Sequence, residues 1–192
     1  MKEITDYLLT SNVTVGELQE WISKKDEDSK EKLIQFINHR FTNRYIKHLS
    51  KINSGFLRMG VCCLTIETLE CFKQGRENTK ESGAGIKMFR DFFDSEKSNF
   101  PKFDIISDSF YSDIRCGILH QGETTNAWRI RNDGDLLNIE ERYINSKMFV
   151  KALENSLKNY ITTLQEEDFN SDIWEKAIDK LKSICENCKV NK

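Results

Sequence analysis

Apolar residues recur at helical spacing along most of this chain, and a single proline, Pro101, stands among them. Proline breaks helices and glycine loosens them. One proline and nine glycines in 192 residues therefore argue against a loop-rich or all-β chain. The reading that follows is all-α: a helical bundle in one domain, of a length that supports a substantial core.

The periodicity places the helices. Thr14-Val15-Gly16-Glu17 has the form of a capping box and predicts an N-terminal helix over 15–24, carrying Leu18, Trp21 and Ile22. The bundle proper spans about 31–187. Leu33, Ile34, Ile37, Phe41, Tyr45 and Leu49 predict a long amphipathic helix over 31–52, which Asn53-Ser54-Gly55 ends. Leu57, Val61, Leu64, Thr68 and Phe72 are spaced for the buried face of a helix over 56–74, widened by Cys63, Ile66 and Leu69. A polar loop from Gly75 to Gly85 leads to a short helix with Ile86, Met88, Phe89, Phe92 and Phe93. From about Phe103, Ile106, Phe110, Ile114 and Ile118 recur every four positions and predict the next helix.

The period then changes. Trp128 and Ile130 alternate with Arg129 and Arg131, Asn132-Asp133-Gly134 is a turn signal, and Leu137 and Ile139 alternate again. These predict a small β-hairpin insertion near 127–140. Asn145 or Ser146 caps a further helix to about Glu167, with Met148, Phe149, Leu153, Leu157, Ile161 and Leu164 inward. Asn170-Ser171 opens a last one with Ile173, Trp174, Ile178, Leu181 and Ile184.

Charge narrows the function classes. The formal net charge is −2, so no overall basic field draws the protein to nucleic acid, and any RNA contact needs a local patch. Met1 to Asp6 is mixed in charge and does not read as a signal peptide. No apolar run approaches the ~18 residues of a membrane span. The expectation is a cytoplasmic protein with no membrane partner, whose six cysteines are thiols.

The chemistry concentrates in Arg115-Cys116-Gly117-Ile118-Leu119-His120, followed by Gln121-Gly122-Glu123-Thr124. Arginine keeps its charge and suits phosphate. Histidine exchanges a proton near neutral pH. Five residues at about 100° each put Arg115 and His120 roughly 140° apart on an ideal helix, so they do not share a face. Two arrangements bring them together. The helix ends near Gly122 and His120 swings round, or two copies pack about a two-fold axis and line one cleft with both residues. The plain structural alternative pairs Arg115 with a carboxylate such as Asp113 or Glu123 and leaves His120 to end the helix.

An Arg-x4-His signature near the end of a helix, within a helical bundle, resembles the HEPN superfamily, which includes many prokaryotic toxin and antiviral-defence ribonucleases. The specific part of the resemblance is Arg115 and His120. It implies a metal-independent endoribonuclease that works as a homodimer on RNA without a cofactor, with an antitoxin or defence-system partner. It also implies a polar residue, usually Asn, Asp or His, directly after the arginine, where this chain has Cys116. The implied chemistry gives His120 proton transfer and Arg115 the charge of the transition state. Tyr111, Cys116, Gln121 and Glu123 become candidates for substrate contact. The other reading is a catalytically inactive dimerisation module of the same fold that binds a partner protein, nucleotide or RNA.

Further candidates are basic. Arg40, Arg44, Lys47, His48 and Lys51 form a track for RNA backbone, or else a solvated helix face. Arg129 and Arg131 share one face of the hairpin and offer a second phosphate contact. Cys185-Glu186-Asn187-Cys188 is a CxxC without the second pair that zinc needs. No P-loop and no His-Glu-x-x-His sequence occurs, so no metal site is expected. His39 and His48 read as surface or packing residues.

Overall fold

Thr14 opens the first regular helix by the reciprocal bonds of a capping box. Its side chain accepts from the Glu17 amide, and the Glu17 carboxylate accepts from the Thr14 amide at 2.8 Å. In the computed structural model, which describes residues 4–188, this helix is α1 (Val15–Lys24). It is followed by α2 (Glu27–Phe41), α3 (Gly55–Gln74), α4 (Ala84–Ser95), α5 (Gly117–Gln121), α6 (Ser146–Glu166) and α7 (Asp172–Glu186). The insertion between α5 and α6 holds β1 (Arg129–Arg131), β2 (Leu137–Asn138) and β3 (Tyr143–Asn145). The fold is mostly α with a small β insertion, as the sequence predicts.

Two stretches are wound as π-helix, Thr42–Ile46 directly after α2 and Phe110–Cys116 directly before α5. A π-turn closes its hydrogen bonds five residues on and is found often at functional sites.

Tertiary contacts divide the chain into two units. The first comprises residues up to Thr42, Cys71–Asn78 and the chain from Asn159 onward. Here α1 packs on α2 and α7 through Val15, Leu18 and Ile22. Trp174 is fully buried, donates Nε1–H to the Leu164 carbonyl at 2.9 Å and meets the Phe169 ring edge-on at 4.6 Å. Phe41 and Phe72 meet edge-on at 5.5 Å. Each such side chain contributes about 1.5–3 kcal/mol of apolar burial.

The second unit comprises Asn43–Glu70 and Thr79–Lys158. Its centre is a cluster of phenylalanines, in which Phe93 meets Phe89, Phe92, Phe100, Phe103, Phe110 and Phe149 with ring centroids 4.9–6.5 Å apart. Here α3 turns Met59, Cys62, Cys63, Ile66 and Leu69 inward. Of the predicted inner face, Cys63, Ile66 and Leu69 are buried, whereas Leu57 and Leu64 are 55% and 47% exposed. Apolar residues lie all round this helix, so helical spacing alone admits either face. Met148, predicted inward on α6, is also exposed.

The insertion departs from a plain hairpin. β3 lies in the middle, parallel to β1 through Arg129–Tyr143 and Arg131–Asn145, and antiparallel to β2 through Leu137–Ile144. The alternation of Trp128 to Arg131 and Leu137 to Ile139 shows two strands. Tyr143-Ile144-Asn145 shows no alternation because all three are buried. Arg58, only 4% exposed, ties the insertion to the helix starts. It donates to the Ile52 and Asn53 carbonyls, to Asn132 Oδ1 at 2.8 Å and to Ser146 Oγ at 2.5 Å. Among the described residues no helix is long and apolar enough to cross a membrane.

Candidate functional site

Arg115 is carried on the π-helical segment Phe110–Cys116, and His120 on α5, one residue before its end. Gly122 stops the helix in the left-handed conformation (φ 69°), its amide donating to the carbonyls of Gly117 and Ile118. The helix end predicted there is present. The chain then folds back over α5. The Thr125 amide donates to the Asp113 carbonyl at 2.9 Å, and Asp113 Oδ1 accepts from Asn126 Nδ2 at 2.8 Å, Thr125 Oγ1 at 3.0 Å and Ser112 Oγ at 3.2 Å. Asp113 is thus a buried carboxylate committed to the loop rather than to Arg115.

Arg115 has another partner. Its Nε donates to Glu67 Oε1 of α3 at 2.7 Å, with the two side chains 19% and 15% exposed. The expected partners Asp113 and Glu123 do not take this place. The guanidinium carbon lies 5.4 Å from the centroid of the Tyr111 ring, and Nη1 is 3.9 Å from Cys116 Sγ. Burial works against the charge of Arg115, and the Glu67 carboxylate more than offsets it, holding the group above the ordinary arginine value. Burial likewise pushes the Tyr111 phenol up, with Arg115 opposing. Cys63, wholly buried behind this site, has its thiol pushed well up by the same cause.

Tyr111 is fixed by its neighbours. Its ring centroid lies 5.6 Å from that of Phe89. A Cβ at Gly85 would lie 2.5 Å from the Tyr111 hydroxyl and 3.0 Å from two ring carbons, so a glycine is what admits the ring. His120 is exposed and makes no side-chain hydrogen bond among the described residues. Arg115 and His120 are not hydrogen-bonded to one another within the chain.

The remaining candidates are dispersed. Gln121 is exposed at the end of α5. Glu123 turns to its own loop, Oε1 accepting from the Thr124 amide at 2.9 Å. Arg129 donates to the Glu141 carbonyl at 2.7 Å. Arg131 donates to Asp133 at 3.0 Å and sits 4.6 Å from the Tyr143 ring centroid. Both hairpin arginines also lie 3.9 Å from the Glu141 carboxylate, which offsets their charge toward phosphate. Arg40 is half-buried near the end of α2, and Arg44 is exposed in the first π-helical segment. In the same basic stretch, Lys47 donates to Asn43 Oδ1 at 2.8 Å, and His48 Nε2 lies 2.9 Å from the Asn43 carbonyl. Of the CxxC, Cys185 is buried and Cys188 directs its thiol to the Ile184 carbonyl at 3.4 Å. Among the described residues no group of three or more His, Cys, Asp or Glu side chains is placed to hold a metal ion.

Glu67 and Asp113 in these roles, and the glycines Gly85 and Gly117, are what the sequence reading missed. A signal existed for Glu67, since an acid in the largely apolar run Val61 to Leu69 needs a buried partner. No family model, no curated protein and no solved structure matches the chain.

Proposed function

We propose that this protein is a metal-independent endoribonuclease of HEPN type, a toxin or antiviral-defence effector, with Arg115 and His120 as catalytic residues. One observation carries the reading. Arg115 is half-buried and held through Nε, with Nη2 making no hydrogen bond among the described residues, and an exposed histidine follows five positions later on a turn closed by Gly122. His120 takes the proton of the RNA 2′-hydroxyl, and the 2′-oxygen attacks phosphorus. The bond from phosphorus to the 5′-oxygen breaks, and that oxygen receives a proton from the second copy's histidine. Arg115 stabilises the charge that develops on the phosphoryl oxygens. The products are a 2′,3′-cyclic phosphate and a 5′-hydroxyl, so DNA, which lacks the nucleophile, is not cut.

The homodimer has its own support. Leu57 and Leu64 are exposed on α3, and Ile118 of α5 lies 3.6 Å from where a Cβ of Gly60 would stand. Leu119 beside it is 51% exposed. Leu57, Gly60, Leu64 and Glu67 follow one another at helical spacing on α3, and the exposed leucines suit burial by a second copy.

A second reading, a non-catalytic module of the same fold that binds a partner protein, nucleotide or RNA, is favoured by Cys116 standing where Asn, Asp or His is usual. The deciding experiment is RNA cleavage in EDTA with oligomeric state measured alongside. Cleavage by the wild-type dimer and none by His120→Ala or Arg115→Ala is the expected result, with the unfolding temperature unchanged in His120→Ala and lowered, but the fold kept, in Arg115→Ala, which strands the Glu67 carboxylate. Cleavage that survives both substitutions overturns the nuclease reading. A dimer that cleaves nothing supports the second.

A further inference from the structure

We infer that Glu67 is a positioning residue for Arg115: its carboxylate grips the guanidinium at Nε and leaves the Nη1–Nη2 edge to receive one phosphodiester group. The inference rests on the reading of Arg115 as the phosphate-binding residue.

The geometry is specific. Arginine has five donors in a planar fork, and the pair of Nη groups at its end is one of its two bidentate edges. Glu67 occupies Nε, at 2.7 Å, and not that end. Among the described residues Nη1 meets only the Cys116 sulfur, at 3.9 Å, a weak acceptor that a phosphate oxygen displaces readily. Nη2 has no hydrogen-bond partner among the described residues.

The grip is itself supported. Glu67 Oε2 accepts from Thr79 Oγ1 at 3.4 Å, so the carboxylate is fixed from the far side. The Tyr111 ring lies against the guanidinium and is wedged between Phe89 and Gly85. A side chain with many rotamers is thereby held at one edge and one face before substrate arrives. Such preorganisation is what electrostatic stabilisation of a transition state requires. An arginine paired only to neutralise a buried acid would be expected to spend both donors of one edge on it. Here the ion pair uses one.

Two variants and two readouts test this. Glu67→Gln keeps an acceptor of the same shape, and Glu67→Ala removes it. Both are checked for unchanged oligomeric state and thermal unfolding. On an RNA oligonucleotide, Glu67→Ala is expected to lower kcat by up to about a hundredfold, since misplacement by about an ångström is enough for such a loss, and to raise KM as the hold on the phosphodiester weakens. Glu67→Gln recovers most of it. The second readout needs no cleavage: dimethyl phosphate, a simple phosphodiester, is titrated into ¹⁵N-arginine-labelled protein. In the wild type it shifts the Arg115 Nη resonances and leaves the Nε–H resonance in place; in Glu67→Ala the Nε–H resonance moves to a solvent-exposed position and the Nη response is lost. Loss of kcat without any change at Nε–H overturns the inference, as does an unchanged Nη response in Glu67→Ala. If the wild type cleaves no RNA, the titration alone decides, and the nuclease reading fails independently of it.

Discussion

A Cβ on Gly117 would lie 2.5 Å from the carbonyl oxygen of Glu123, so the loop after the motif rests directly on the backbone of the helix that carries it. The obstacle is main chain, which cannot rotate aside. Gly117→Ala is expected to cost about 1–3 kcal/mol by overpacking and to lower any activity that depends on His120, because the loop that ends α5 must lift. Gly122→Ala is the comparison. Nothing lies within 4 Å of its Cβ, and only its positive φ of 69° opposes the change, at about 1 kcal/mol. Thermal unfolding of the two variants should rank them in that order.

Asp113 gathers the same loop from below. Its Oδ1 accepts three side-chain hydrogen bonds within 3.2 Å, and bonds to a charged group are worth about 1.5–3 kcal/mol. Asp113→Ala should lower stability by roughly that amount and open residues 122–127 to limited proteolysis. The loop has reason to spring open, because Asn126 and Ala127 are both held at positive φ, 52° and 60°. Proteolysis that leaves this segment as resistant as in the wild type would count against the assignment.

The cysteines should divide cleanly. Cys62, Cys63, Cys71 and Cys185 are buried, while Cys116 and Cys188 are half-exposed. Burial pushes the Cys62 and Cys63 thiols up and leaves little thiolate to react. A thiol reagent applied to the folded protein under mildly alkaline conditions should label Cys116 and Cys188 quickly. The other four should react only on unfolding, as read by mass spectrometry of the labelled peptides.

Lys180 gives the fold a dependence on pH. It is 9% exposed, its Nζ donates to the Glu77 carbonyl, and burial holds its pKa below the ordinary value of 10.5. Between the folded value and 10.5 the unfolded chain binds more protons, so stability rises with pH through that window. The exposed Lys24 and Lys97, raised by hydrogen bonds to Glu20 and Asp94, work in the opposite sense. The test is therefore a difference. Urea unfolding should show the wild type gaining on Lys180→Met as pH climbs through the alkaline range, and a constant difference would refute it.

The helices, the capping box at Thr14 and the place of the β insertion were legible because periodicity and turn chemistry are local. The π-helical segments were half legible. In both places the apolar residues recur every four positions, Leu33, Ile37, Phe41, Tyr45 and Leu49 in one, Ile106, Phe110, Ile114 and Ile118 in the other. On an α-helix a strict period of four drifts by about 40° per step. A π-turn closes five residues on rather than four and so resets that drift. The inward step then moves from Phe41 to Ile46, five residues on, while Tyr45 is half-buried. What was not legible was pairing across the sequence. Arg115 meets Glu67, 48 residues away, while the acids nearest to it in sequence, Asp113 and Glu123, are spent on the loop. The third strand, Tyr143 to Asn145, was hidden because both its faces are covered and its sequence does not alternate.

Arg58 brings time into the picture. Its partners Asn132 and Ser146 are 74 and 88 residues further along the chain. Contacts between segments so far apart are expected to form after local ones. An interaction absent from the transition state slows escape from the native state without hastening arrival. The buried guanidinium therefore acts as a latch: what it governs is how long the β insertion stays docked once the molecule has folded.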